Sequence, residues 1–155
     1  MNEKELLIRQ ATRQDVSEVV RLLSDDLLGR QREKYEPVLP QSYYDAFARI
    51  ERDENNELIV VEMAGEVVAT LQLTFIPGMT YQGSVRAQIE AVRVDGRYRS
   101  QRIGQKLIEW AVERARQKGC YLVQLTTDKS RGDAHRFYER LGFVASHVGM
   151  KLSLQ

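Results

Sequence analysis

The sequence predicts an α/β (α+β) domain, a mixed and mostly antiparallel central sheet with helices on both faces in the order βααβββαβαβ. Three observations carry that prediction. Apolar residues recur at helical spacing in four separate segments, whereas three consecutive runs between residues 58 and 94 are β-rich and divided by turn residues. The last of those runs feeds through a basic turn directly into an amphipathic helix, in the stretch QIEAVRVDGRYRSQRIGQKLIEWA from Gln88 to Ala111.

In chain order, Leu6, Leu7 and Ile8 begin an extended segment that ends near Ala11. Thr12 is a good N-cap, and Asp15 three residues on completes a capping-box-like pair. Val16, Val19, Val20, Leu23 and Leu27 then follow at helical spacing, which predicts one helix to about Leu28 stopped by Gly29. After a polar loop to Pro40, a second helix is expected from Gln41 to Arg52, with Tyr44, Phe47, Ala48 and Ile50 toward the core and Asn55-Asn56 beyond its end. Leu58 to Met63 and Glu66 to Phe75 flank the two-residue connection Ala64-Gly65, a hairpin pattern, and Pro77-Gly78 ends the second strand. Val85 to Val94 completes a three-strand meander. Ile103, Leu107, Ile108, Ala111, Val112 and Ala115 form one helical face that Gly119 terminates. A short buried strand is expected at Tyr121 to Leu125, a helix from Asp133 to Leu141 ending at Gly142, and a last strand pair at Phe143-Val144 and Val148 to Leu152.

A chain of 155 residues fits a single domain, 1–155, able to bury about two thirds of its unfolded surface. Its 43% apolar and 29% charged residues are ordinary for a globular protein. No apolar stretch approaches the roughly 20 residues that span a bilayer, and MNEKELL lacks a basic-then-apolar signal pattern, so a cytoplasmic protein without a membrane partner is expected. One cysteine, Cys120, allows no internal disulfide and reads as a small buried hydrophobe; His135 and His147 stand apart, so no metal is expected. Charge is uneven: residues 1–90 carry 10 Lys+Arg against 16 Asp+Glu, and residues 91–155 carry 13 against 6. The second half suits an anion. The first half weakly suits a cationic partner, although a solvated acidic surface explains it too.

The chemistry concentrates in R-S-Q-R-I-G, Arg99 to Gly104. A strand has just ended and a helix begun, so the amides of about Gln101 to Gln105 lack intrahelical acceptors and a phosphate can satisfy them. Arg99, Arg102 and Lys106 add full charges to the helix dipole, and Gly104 permits close approach of backbone. Neither a P-loop nor a G-x-G-x-x-G fingerprint is present.

The segment resembles the signature of the GNAT N-acetyltransferase family, [QR]-x-x-G-x-[GA], which binds the pyrophosphate of acetyl-CoA. Arg99 and Gly104 match its ends, and Arg102 stands where the family has its middle glycine. DAHRFYERLGF, Asp133 to Phe143, is similar to the family's A-x-x-F-Y-x-x-x-G-F motif at Ala134, Phe137, Tyr138, Gly142 and Phe143. Arg131 takes the place of a frequent asparagine, so a contact to the cofactor is made differently there. The resemblance runs over nearly the whole chain and implies an acetyl-CoA-dependent N-acetyltransferase that moves acetyl directly to a primary amine of a small molecule or peptide. It implies a V-shaped cleft beside Val92, Arg93 and Val94, whose backbone would meet the pantetheine, with the amide near Val92 as oxyanion donor. Ser100, Gln101, Ile103 and Gln105 would complete the phosphate grip. Tyr138 occupies the family position of the general acid and of a contact to the cofactor; a phenol, ordinarily near pKa 10, gives a proton downhill to a thiolate of about 8.5. Packing beside Phe137 is the plainer reading of that ring. Glu90 is the base candidate: alternation places Glu90, Val92 and Val94 on one face, and burial there would strengthen it as a proton acceptor. A carboxylate paired with Arg86 or Arg93 is the plainer alternative.

Two other functions stay open. A non-catalytic acyl-CoA-binding or sensing module would use the same turn, although the presence of both Glu90 and Tyr138 argues against it. Nucleic-acid binding fits the basic half but lacks a reading helix, so no nucleic-acid partner is expected. Many relatives of the family are dimers, which leaves a homodimer open.

Overall fold

Five strands in the order β1-β2-β3-β4-β5 make the sheet of the computed structural model, which describes residues 5–155; residues 1–4, the start of the stretch read above for a signal pattern, lie outside the described part. β1 (Leu6–Gln10) pairs antiparallel with β2 (Asn56–Met63), β2 with β3 (Glu66–Pro77) and β3 with β4 (Val85–Val94), while β5 (Leu122–Leu125) flanks β4. The β2–β3 hairpin turns on Ala64 (φ 51°) and Gly65 (φ 82°), two left-handed residues whose twist matches that of the strands they join. The helices are α1 (Val16–Leu23), α2 (Leu27–Arg32), α3 (Gln41–Arg52), the single turn α4 (Thr80–Gly83), α5 (Ile103–Gln117) and α6 (Gly132–Arg140).

Alternation along β2 shows which helices cover which face. Leu58 and Val60 join the apolar clusters of α1 and α3, with Val16, Val20, Phe47, Val19 and Leu22. Glu57, one residue before Leu58, points the other way and accepts from Arg114 Nε of α5 at 3.0 and 3.1 Å. Helices therefore lie on both faces. On the α5 side Ile59, Leu71, Leu73, Ile89, Leu107 and Ile108 are at most 2% exposed, each contributing about 1.5–3 kcal/mol of burial. Among the described residues no helix is long and apolar enough to cross a membrane.

By contacts the chain divides into two compact units, Met1–Gln124 and Leu125–Gln155. The second runs from the last residue of β5 through α6 to the chain beyond it. Gly142, at φ 94°, reverses the backbone after α6, so that Phe143 N–H donates to Tyr138 C=O at 3.1 Å and the Phe143 ring meets Tyr138 edge-on at 5.7 Å.

The structure corrects several expectations. The first helix is not continuous to Leu28: Ser24 Oγ donates to Arg21 C=O at 2.9 Å and closes α1, and Asp26 starts α2 by accepting from Gly29 N–H. Gly29 is thus a buried residue inside α2 rather than a stop. β5 is an exposed-edge strand, not a buried one, with Tyr121 beside it 39% and Leu122 37% exposed. The expected pair at 143–144 and 148–152 is absent. Val148, Met150, Leu152 and Leu154 alternate as a strand would, yet each is more than 80% exposed, because an alternating pattern forms a strand only where a partner strand accepts its backbone.

Two buried carboxylates hold the ends of the sheet. Asp15 accepts from Arg9 Nη1 and from Thr12 N–H, both at 2.7 Å, the latter as the capping pair read from the sequence. Asp95, 3% exposed just after β4, accepts from Arg21 of α1 at 3.0 Å, from Arg97 Nη2 at 2.9 Å and from Arg97 N–H at 3.0 Å. Hydrogen bonds from Arg97 hold the Asp95 carboxyl well below the usual carboxylate range, and hydrogen bonds from Arg9 do the same for Asp15. A group depressed on folding contributes its stability above its unfolded value, near 4, and loses it as pH falls through the folded value. Thermal melts should therefore show Tm steady above about pH 4 and falling below it. Asp95→Ala should cost about 1–3 kcal/mol at neutral pH, measured by urea denaturation, because the Arg97 amide and one end of Arg21 lose their acceptor while Arg21 keeps Glu18 at 2.8 Å.

Candidate functional site

β4 departs from regular pairing in its last third. Gln72 lies opposite Glu90, but Thr70 lies opposite Arg93, so Leu71 faces both Ala91 and Val92 across a β-bulge. Ala91 is the left-handed member at φ 54°, a position where glycine is usual. The extra residue reverses the alternation. Glu90 shares the α1/α3 face with Gln72, and Arg93 joins that same face opposite Thr70, where its Nε lies 3.3 Å from Asp26 Oδ2. Val94, opposite Ala69, turns to the α5 side. The expected grouping of Glu90, Val92 and Val94 on one face is thus corrected, and so is the burial expected for Glu90, which is exposed.

Glu90 is nonetheless held. Gln88 Nε2 donates to its Oε1 at 2.5 Å, and neither Arg86 nor Arg93 pairs with it. Val92 C=O accepts from Arg93 Nη1 at 2.8 Å.

Beyond the bulge, Asp95 caps a 3-10 turn, Gly96–Tyr98, and the chain enters the basic segment. Ser100 (φ 67°) and Arg102 (φ 61°, ψ 18°) are both left-handed, and Arg102 is the N-cap of α5. An L-residue costs about 1–2 kcal/mol in that region, so Arg102 carries the strain that the glycine of the family motif would avoid. Three left-handed L-residues, Ala91, Ser100 and Arg102, thus fall within twelve positions of the chain. Ile103 is 2% exposed and anchors the helix start, while Arg99, Gln101, Arg102 and Lys106 are exposed and Gly104 and Gln105 half-buried. The opening amides of α5 point out of the helix beside three side-chain cations, a donor set that fits a diphosphate.

In the second unit, Tyr138 is half-buried and packs edge-on against Phe137 at 5.1 Å as well as against Phe143, and Arg131 is the N-cap of α6. Both ring contacts lie inside the A-x-x-F-Y-x-x-x-G-F segment, so packing accounts for the placement of the ring. Cys120 is half-buried, and burial pushes its thiol up, away from nucleophilic use. His135 lies 3.1 Å from Glu139 one helical turn along.

Three contributors escape a reading by motif. Asp95 had a signal, an Asp-Gly just past a strand, the pattern of a turn-capping carboxylate. Gln88 and Gln124 had none, because their relation to Glu90 exists only across strands.

The acetyltransferase (GNAT) family model matches residues 24–143. The aminoalkylphosphonate N-acetyltransferase of Salmonella typhimurium is 34% identical over 140 residues, 90% of this chain and 86% of that one. The glucosamine 6-phosphate N-acetyltransferase of Trypanosoma brucei brucei is 38% identical over 90 residues, 58% and 59% of the two chains. A crystal structure from Bacillus halodurans described as a transcriptional regulator superposes with a TM-score of 0.94 at 55% identity, covering 97% of this chain and 100% of that one.

Arg102→Gly should remove both a cation and the strain, Arg102→Ala only the cation. Titration calorimetry should show coenzyme A binding several-fold weaker in both and in Arg99→Ala. Only Arg102→Gly should gain stability, by about 1 kcal/mol.

Proposed function

Because the chain belongs to the acetyltransferase (GNAT) family, we propose that it is an acetyl-CoA-dependent enzyme that acetylates the primary amine of a small molecule by direct transfer. The observation that carries this reading is the bulged end of β4 running through a strained basic turn into the amides of α5. Acetyl-CoA supplies an activated acyl group when bound. Arg99, Ser100, Gln101, Arg102, Ile103, Gly104 and Gln105 hold its diphosphate, and the backbone of Val92, Arg93 and Val94 lines its pantetheine arm. Arg131 stands where the family contact to the cofactor differs.

Glu90 takes the proton of the incoming ammonium, directly or through one water, so that the neutral amine attacks the thioester carbonyl. Negative charge developing on the thioester oxygen is met by the Val92 amide. Tyr138 gives its phenolic proton to the departing thiolate, and the second proton shed by the nitrogen as it becomes an amide restores the phenol; the acetyl group passes straight from sulfur to nitrogen. A cytoplasmic setting and a homodimer belong to the same reading.

For the acceptor, the proposal is an amine bearing a phosphonate or phosphate. Support comes from the two named relatives, whose substrates share that pairing of groups, and from the opposite charges of Glu90 and Arg93 on one sheet face. Exposed Arg30, Arg32 and Lys34 on and after α2 add cations to the acidic first half.

With 2-aminoethylphosphonate or glucosamine 6-phosphate as acceptor, thiol release from acetyl-CoA should be detected and should require the amine. Tyr138→Phe should lower kcat about 100-fold while coenzyme A affinity stays within twofold. Tight acetyl-CoA binding without transfer to any amine in a broad panel would replace the enzyme with the sensing module. That outcome would accord with the regulator description of the Bacillus halodurans structure.

A further inference from the structure

On the α1/α3 face of the sheet, a short relay of polar side chains runs from β5 through β4 and ends on Glu90. Gln124 of β5 donates from Nε2 to Gln88 Oε1 at 2.8 Å, and Gln88 donates from Nε2 to Glu90 Oε1 at 2.5 Å. From the other side Gln72, directly opposite Glu90, donates to Asn56 Oδ1 at 3.1 Å and is turned away from the carboxylate. A carboxamide has a donating end and an accepting end, so a neighbour that donates to its oxygen decides which end meets the next residue. Gln124 thereby presents the N–H of Gln88 to Glu90.

We propose that Gln88 is the positioning residue of Glu90, that Gln124 fixes the Gln88 amide in its donating orientation, and that this relay leaves Glu90 Oε2 for the acceptor amine. The inference rests on the reading of Glu90 as base. It gives the exposed Glu90 carboxylate a neutral hydrogen-bond donor on its own sheet face. A guanidinium in the place of Gln88 would hold the carboxylate equally well but would compete with the ammonium for it. A neutral donor does not.

The test is a double-mutant cycle read by thiol release with the faster of 2-aminoethylphosphonate and glucosamine 6-phosphate. Gln88→Met keeps length and packing but cannot donate. It should lower kcat about tenfold, the size of one hydrogen bond to a charged group, and leave the KM for acetyl-CoA within twofold. In a Glu90→Gln background the same substitution should have no further effect. Gln124→Met should act in the same direction by about threefold, and it carries the cycle if Gln88→Met does not fold. Equal losses in both backgrounds would make these glutamines merely structural and overturn the relay while leaving Glu90 as base. Full kcat in Glu90→Gln, or no thiol release with either amine, would instead remove the base assignment and the relay with it.

Discussion

The bulge at Ala91 and Val92 is the constraint from which the rest of the first unit's chemistry follows. One extra residue in β4 reverses the direction of every side chain after it. That reversal puts the carboxylate of Glu90 and the guanidinium of Arg93 on one face, three residues apart, where regular alternation would divide them. It also interrupts the ladder with β3, and a strand whose backbone is released from its neighbour is one that a ligand can pair with. The energetic cost is a left-handed alanine, of order 1–2 kcal/mol, borne by a sheet whose flanking residues Ile89 and Leu71 are almost wholly buried.

The turn after the bulge could not hold its shape alone. Its backbone is strained at Ser100 and Arg102, and its cations repel one another. Asp95 supplies the counterweight: one buried carboxylate gathers Arg21 from α1, the side chain and the amide of Arg97, and so fixes the start of the turn. Ile103, packed into the core, fixes its end. The basic stretch is therefore suspended between two buried points, Asp95 and Ile103, with Arg99, Gln101 and Arg102 left toward solvent. An arginine at the left-handed N-cap is intelligible in that setting. It accepts backbone strain in exchange for a cation at the positive end of a helix, where an anion gains most from it.

Along the α1/α3 face the same economy appears in uncharged form. Two groups of polar side chains pair there, Gln72 and Thr74 with Asn56 across β2 and β3, and Gln124 with Gln88 and Gln88 with Glu90 across β5 and β4. Such a network is rigid because each amide has its direction set by its neighbour. Rigidity is what an exposed carboxylate needs if it is to meet an amine in one orientation.

Much of this was legible in the residues. The periods of α3, β2, β3, β4 and α5, the Ala64-Gly65 hairpin, the Thr12–Asp15 cap and the basic helix start follow from local chemistry, since each depends on side chains within a few positions of one another. Ser24 and Asp26 end one helix and begin another through single hydrogen bonds, and the apolar spacing that continues through them concealed the break. The sequence by itself determined the fold class, the family motifs and the sign of charge offered at α5. Only the tertiary structure decided the face of Glu90 and Arg93, the capture of Asp95 by Arg21 and the orientation of Gln88 by Gln124, and it left the alternating residues after Val148 without a strand. Each of these depends on what a neighbouring strand or helix brings, and periodicity along one chain segment carries no record of its neighbour.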